Sequence, residues 1–462
     1  GAQAIQTPNF DRITQQGVVF NDCYVNCTIC TPSRASLMTG KSVMGHGVDR
    51  LYDILPQNEV LFPKRLQQAG YQTALVGKLH VSSLPFEAKQ RNKNDGFDLY
   101  EWCEEPSVNL DSPLNAYAKW LKQQDPTFYR ELKAKGRKLK HIPAHLHATH
   151  WATERTMEFI RDADRSKPFF CMMSLFDPHN PYDQYPLEMN KLVNQSKLPE
   201  PVFTPDENVD KPYGIREESA HGYMGPFSQY THEQLMQMRL GYFAEIAFLD
   251  QELGRLLNQL EQMKIAENTL IVFTSDHGDM LGDHRLLAKG AFFYDPCSRV
   301  PLLMRWPARF NKGIRVPNLV QPHDLAATIL DAANCWTPEE KAARPESVSL
   351  IDLCSGQTAD AHEYAVCVYR NTGVNDHHTY FDPPIEATMI RDMRYKLNLY
   401  HAPVDRGPEG ELYDMVKDPG EAHDMWNVAE YLPVRARLTQ AMTRWMVERQ
   451  LDYFGSRGGS LR

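Results

Sequence analysis

The chain has 462 residues, 42% of them hydrophobic and 24% charged, with a formal net charge of −9. That length buries a substantial core as one large domain or two, and the composition is that of a soluble globular chain. The acidic balance argues against nucleic acid as a partner, and no apolar run approaches the roughly 20 residues of a membrane helix, so no transmembrane segment is expected.

The opening "GAQAIQTPNFDRITQQGVVF" reads like the middle of a domain and leaves the compartment undetermined. A first buried strand is expected in "GVVFNDCYV". It leads into Cys30–Gly40, "CTPSRASLMTG", where Thr31 suits a helix cap, Pro32 the first helical position and Gly40 a left-handed close. Cys30 then lies among unsatisfied backbone N–H groups that favour an anion, and Arg34, one turn along, adds a bidentate donor for a tetrahedral oxyanion. Taken alone, Cys30 reads first as a buried structural cysteine before an ordinary short helix, and the rest of the sequence must overturn that reading. The nine cysteines show no paired metal-ligand spacing, and Cys27-x-x-Cys30 is weak by itself.

Further continuous apolar runs follow in "YQTALVG", "PFFCMMSLF", "NTLIVFTS" and "VPLLMRW". Hydrophobicity that does not alternate predicts strands buried on both faces, hence a mainly parallel sheet. Amphipathic helices are expected over Leu61–Ala69, Thr149–Arg161 and Glu233–Lys264, giving a layered α/β/α arrangement. Glu104–His147 and Pro178–Tyr230, rich in Pro, Tyr and charge, read as insertions over an active-site face. From about Ala365 short strands, "ATMIRD", "MRYKLNLYH" and "GELYDM", precede a helix over Tyr431–Gln450. The expected division is a catalytic domain over 1–362 and a smaller α+β domain with a short antiparallel sheet over 363–462, with "ADAHE" near the boundary.

Open α/β sheets bind ligands beyond the carboxyl ends of their strands. Here those ends carry Lys78 and His80, then His179, then Asp276, His277, Asp279 and His284 followed by Lys289, besides the Cys30 segment. Asp276 and His277 offer an oxygen and a nitrogen to a divalent cation; Arg34, Lys78 and Lys289 offer positive donors; His80 and His179 move protons near neutral pH. The set suits displacement at a sulfuryl or phosphoryl centre. The basic run Lys133–Lys140 reads as a solvated face, and Asp376-His377-His378 as a surface loop bordering the substrate pocket. Cys23 and Cys27 read as packing residues.

These motifs resemble the formylglycine-dependent sulfatases of the alkaline-phosphatase-like superfamily. "CTPSRASLMTG" matches their Cys-x-Pro-Ser-Arg hallmark, "GKLH" their Gly-Lys-x-His, "DPHNPY" their strand-end His, and "TSDHGDMLGDH" with Lys289 their metal-and-lysine segment. The resemblance implies an alkaline-phosphatase-like α/β/α sandwich and conversion of Cys30 to formylglycine by a separate formylglycine-generating enzyme. One hydroxyl of the hydrated aldehyde attacks sulfur, and deprotonating the other re-forms the carbonyl and expels sulfate.

By the same resemblance, residue 30, Asp276 and His277 hold a divalent metal, usually calcium with magnesium as the alternative; His277 replaces the Asn of many relatives. Arg34 holds the formylglycine hydrate, Lys78 and Lys289 the sulfate oxygens, His80 the second hydroxyl, and His179 the leaving-group oxygen. The family also carries a strand ending in two acidic metal ligands ahead of a segment like Thr7–Asp11, "TPNFD", so the sequence is expected to be a fragment lacking that strand. The implied substrate is a sulfated small molecule or saccharide. Rivals are a phosphonate or phosphate ester hydrolase on the same scaffold and an inactive truncated form.

Overall fold

In the computed structural model, which describes residues 3–357, 361–401 and 408–456, the expected apolar runs form β1 (Val18–Tyr24), β2 (Gln72–Gly77), β4 (Phe169–Ser174), β5 (Ile271–Thr274) and β6 (Arg299–Arg305). In this part of the chain two strands were not anticipated: β3 (Leu99–Trp102) is only four residues, and β7 (Ile314–Val320) carries Pro317 and an exposed Arg315. Pro317 fits because β7 ends its sheet, where a missing N–H costs no ladder bond.

The strands form two pieces, β5-β6-β1-β7 and β3-β2-β4. Within the first, β1 and β7 are parallel and β6 runs against both β1 and β5; within the second, all pairings are parallel. The ends of β1, β2, β4 and β5 meet, since Arg34 reaches Lys78 O and Ser174 Oγ while Ser33 reaches Asp276 O. Every strand but β6 therefore points its carboxyl end at one edge.

The helices Ala148–Asp162 and His232–Gln262 pack together over one face, and the helices Cys30–Thr39, Phe62–Gln68 and Asp324–Ala332 over the other. A capping box sets the start of the long helix, with Thr231 accepting from Gln234 N and the Gln234 side chain accepting from Thr231 N.

Between the two pieces, β4 and β5 each have a strand partner on one side only. Their other edges face a common slot of about 1790 Å³, lined by Phe169–Ser174 and Ile271–Thr274, and closed above and below by apolar helix residues such as Leu37, Phe62, Tyr242 and Leu253. At its carboxyl end the slot reaches Arg34, Lys78, His179, Asp276 and His277.

The C-terminal part forms an antiparallel sheet in the order β11-β10-β9-β8, from β8 (Ala365–Arg370), β9 (Glu386–Arg391), β10 (Tyr395–Tyr400) and β11 (Glu409–Asp414), with the helix Leu432–Ser456 against β9 and β10. Ala359 and Asp360 of "ADAHE" lie outside the described residues. One core joins this sheet to the large one: Val366, Val368, Ile390 and Leu412 belong to the same cluster as Val18, Phe20, Leu302 and Val316. A fully buried ammonium adds an ionic tie, as Lys396 Nζ donates to Phe293 O at 3.0 Å, Asp295 Oδ1 at 2.6 Å and Glu421 Oε1 at 2.7 Å. Two carboxylates and a carbonyl use all three of its protons, which is what makes such burial tolerable.

Candidate active site

The helix Cys30–Thr39 begins at Cys30 itself, with Ile29 in the cap position and no side-chain cap, and closes at Gly40 in the left-handed region (φ 71°) with its N–H on Ser36 O. Thr31 does not cap. It is already helical, and its hydroxyl donates to Leu51 O at 3.0 Å, a carbonyl that competes better than the helix end. Pro32 is the third helical residue, a position whose N–H has no intrahelical partner in any case.

Cys30 Sγ lies 3.0 Å from His277 Nε2. His277 Nδ1–H donates to Gly278 O at 3.1 Å, so Nε2 is the nitrogen turned toward Cys30. One ligand atom each from Cys30, Asp276 and His277 falls within a 4.8 Å span. Burial alone would raise the Cys30 thiol, but Lys78, His277 and Lys289 outweigh it and hold it well below the usual thiol range. The same contest keeps the buried Asp276 carboxylate ionised: His277 and Arg34 together outweigh the effect of burial. The three donors thus suit a divalent cation, although only Asp276 among them carries a fixed negative charge, and Lys78, Lys289 and Arg34 crowd the same place.

Arg34 is spent largely on the scaffold. Its Nε donates to Leu79 O at 2.7 Å, Nη2 to Lys78 O at 2.6 Å and Ser174 Oγ at 2.5 Å, and Nη1 meets Asp276 Oδ2 at 3.3 Å. It therefore ties the ends of β2, β4 and β5 to the Cys30 helix. Gly77 permits this convergence, since at φ 107° a Cβ there would lie 1.9 Å from Ser174 O.

Lys78 is buried beside the Phe176 ring. Lys289 Nζ lies 2.6 Å from His179 Nε2, while His179 Nδ1–H donates to Asn180 O at 2.7 Å. His179 is therefore held as an acceptor toward Lys289, and burial together with the Lys289 charge lowers its proton affinity. The loop behind Lys289 is clamped on both sides: Thr28 Oγ1 donates to Gly290 O at 2.6 Å, and Ala291 N to buried Glu218 Oε1 at 2.7 Å. His80 sits in the left-handed region (φ 53°), its backbone N–H on buried Glu87, and burial lowers its imidazole to about 4. Its Nε2 touches Thr31 Oγ1 and Glu104 Oε1, both at 3.0 Å.

Cys30, Arg34, Lys78, His80, His179, Asp276, His277 and Lys289 are thus placed at one edge, whereas Asp279 accepts from Tyr182 Oη at 2.8 Å and His284 pairs with Glu207 and stacks on the Tyr294 ring. Glu87, Glu104, Ser174 and Glu218 were not anticipated. Glu104 fell inside a presumed insertion, and the missed signal was β3: a strand ending at Trp102 delivers Glu104 to the same edge. At the mouth, the two insertions meet the C-terminal lobe. Arg137 pairs with Glu105 and reaches Tyr223 Oη, Tyr223 stacks edge-on against His378 at 5.9 Å, and Asp376 N donates to His221 O at 3.1 Å. Three other lysines of the basic run pair outward, Lys133 with Asp111, Lys135 with Glu131 and Lys140 with Asp183.

A second buried group, His323, Asp324 and His362, also brings ligand-type atoms together. Here the protein satisfies them itself. Asp324 accepts from Gln321 N at 2.8 Å, Val348 N at 3.0 Å and His362 Nε2 at 2.9 Å to each oxygen. His323 is bonded through one ring nitrogen to Asn26 and through the other to Glu346 O. It is a structural clasp at the start of the helix Asp324–Ala332.

Among the described residues no helix is long and apolar enough to cross a membrane. The family model "Sulfatase" matches residues 1–335, and "N-sulphoglucosamine sulphohydrolase, C-terminal" matches residues 282–448. An N-acetylglucosamine-6-O-sulfatase of Bacteroides thetaiotaomicron is 27% identical over 96% of this chain and 82% of its own. Among solved structures, BT4656 in complex with its substrate D-glucosamine-2-N,6-O-disulfate superposes with a TM-score of 0.72 at 24% identity, covering 98% of this chain and 94% of that one. A phosphonate monoester hydrolase from Silicibacter pomeroyi reaches a TM-score of 0.80 at 22% identity, covering 96% and 91%.

Proposed function

Because the chain belongs to the sulfatase family of the alkaline-phosphatase-like superfamily, its reaction is hydrolysis of a sulfate ester to an alcohol and sulfate, and we propose that Cys30 is the residue around which that reaction is organised. The observation that carries this reading is the convergence on Cys30 Sγ of His277 at 3.0 Å and of the Lys78 and Lys289 charges. A formylglycine at this position supplies a hydrated aldehyde as nucleophile. Cys30 is only 3% exposed, so the generating enzyme acts on the chain before the fold closes over it.

Residue 30, Asp276 and His277 hold the divalent cation, with calcium expected and magnesium the alternative. Lys78 and Lys289 bind and orient the sulfate oxygens. His80 takes a proton at residue 30. The Lys289–His179 pair attends the leaving-group oxygen, with the Lys289 ammonium carrying the proton and His179 Nε2 holding it as acceptor until the departing oxygen takes it. Arg34 keeps the strand ends and the Cys30 helix in register. The substrate class is a sulfated saccharide: the similarity to the glucosamine sulfatase supports it, and so does a mouth where the Tyr223 ring lies beside Arg137 and His378. Residues 1–362 form the catalytic domain and 363–462 the smaller one, joined through a common core.

We further propose that the slot between β4 and β5 seats one extended strand parallel to both. Its backbone meets two strand edges, its side chains meet apolar helices on each face, and its carboxyl end arrives at Asp276 and His277. Acidic residues there supply the negative charge that the metal site needs. The experiment is peptide mass spectrometry of protein made with a formylglycine-generating enzyme, paired with sulfate release and calcium titration. These are run on the 462-residue chain and on a form extended ahead of Gly1 by a strand-forming segment ending in two acidic residues. Aldehyde at residue 30, with calcium affinity and turnover both raised by the extension and aryl sulfate preferred over aryl phosphonate, is expected. Thiol alone in a fully active preparation, or preference for the phosphonate, overturns the reading.

A further inference from the structure

The geometry points to Glu104 as a positioning residue that fixes the proton of His80 on Nε2 and leaves Nδ1 bare for the chemistry at residue 30, an inference that rests on the sulfatase reading for its catalytic consequence but not for its geometry. The assignment follows from counting donors. The Thr31 hydroxyl spends its only proton on Leu51 O at 3.0 Å, so it presents a lone pair to His80 Nε2. Glu104 Oε1, also 3.0 Å from Nε2, is a second acceptor. Two acceptors at one ring nitrogen require that nitrogen to carry the hydrogen. His80 Nδ1 is buried without a partner, while the ring interacts with the Cys30 side chain, so Nδ1 is the nitrogen left for residue 30.

Glu104 is well suited to this role and to little else. It is buried, its second oxygen Oε2 has no partner, and among the described residues no Lys or Arg forms a salt bridge with it. A buried carboxyl left half-bonded is an expense that a purely structural residue does not require. Burial, with Glu87 nearby, pushes this carboxyl well up; a proton taken by it belongs on Oε2, because the Thr31 lone pair already requires the hydrogen on Nε2 and leaves Oε1 to accept it. The three site histidines then divide by the nitrogen they turn to the site: His277 and His179 donate from Nδ1 to carbonyls and present Nε2, whereas His80 carries its hydrogen on Nε2 and presents Nδ1.

The test uses the full chain with unmodified Cys30 and ¹⁵N-labelled histidine, in which two-bond ¹⁵N–¹H correlations report each imidazole tautomer; His80→Asn serves only to assign the signal. Wild type is expected to show His80 as Nε2–H, Glu104→Gln to retain it through its amide oxygen, and Glu104→Met to give a mixture. In formylglycine-bearing protein, Glu104→Met should lower kcat by about 10- to 100-fold with KM within about twofold, and Glu104→Gln should recover most of the loss. An Nδ1–H signal in wild type, or an unchanged tautomer in Glu104→Met, overturns the proposal whether or not the protein hydrolyses sulfate esters. Should Glu104→Met not fold, the wild-type tautomer alone decides. Failure of formylglycine formation or sulfate release counts instead against the reading of Cys30.

Discussion

The two buried histidine–aspartate groups of this chain contain the same residue types and are built in opposite ways. Around Asp324 every polar atom has a protein partner, so the carboxylate closes a loop and holds a helix start. Around Asp276 the carboxylate meets Arg34 at a long 3.3 Å, and His277 turns Nε2 to Cys30 while cations gather on all sides. Proximity of ligand-type atoms does not separate them. Hydrogen-bond accounting does: a satisfied group stabilises the fold, and an unsatisfied, charge-unbalanced one binds.

Exchanging each aspartate for asparagine tests the contrast most directly. Asp276→Asn is expected to abolish calcium binding and lower turnover by about three orders of magnitude with little change in Tm, because the proposed metal ligand and its charge are lost. Asp324→Asn is expected to do the converse, lowering stability by about 3 kcal/mol in urea titrations through loss of a buried ion pair and its N–H bonds, with calcium stoichiometry unchanged. If both variants lose metal, or both lose only stability, the distinction fails.

Next in size is the Lys289–His179 pair. Lys289→Ala or His179→Ala should reduce kcat by about two to four orders of magnitude on substrates with poor leaving groups, and much less on activated aryl sulfates. Equal loss on both substrates would remove the pair from leaving-group chemistry.

The smallest effect sharpens the clasp. Asp324 and its contact raise His362 above the usual imidazole value despite burial. The contribution of His362 is therefore fully present below about pH 6.5 and lost as pH rises through its folded value. Asp324 is depressed, because His362 and His323 outweigh burial, so its contribution is present above about pH 3.9 and lost as pH falls through its folded value. The stability difference between wild type and His362→Ala is expected to be larger at pH 5.5 than at pH 8.5; a difference that grows with pH contradicts the assignment.

The sequence pattern anticipated the layers because long apolar runs leave few alternatives: β1, β2, β4, β5 and β6 lie where continuous hydrophobicity put them. Residues at their carboxyl ends were equally legible, since a parallel sheet brings such ends together whatever the loops do. What escaped depended on contacts remote in sequence. β3 has too few residues for a periodic signal, so Glu104 could not be seen to share an edge with His80. Thr31 looked like a cap because the distant Leu51 carbonyl that claims its hydroxyl leaves no local trace. Arg34 read as an anion donor, and only the meeting of β2 with β4 shows how many carbonyl and hydroxyl oxygens it must serve.

The slot has a colloidal consequence. β4 and β5 turn ladders of N–H and C=O groups toward it, flanked by apolar side chains, and an open strand edge templates pairing with any extended chain that reaches it. In a concentrated solution of this 462-residue chain the nearest such segments belong to neighbouring molecules. Self-association should therefore scale with protein concentration and be suppressed by a strand that fits the slot, so that shelf life reports on whether that cleft is filled.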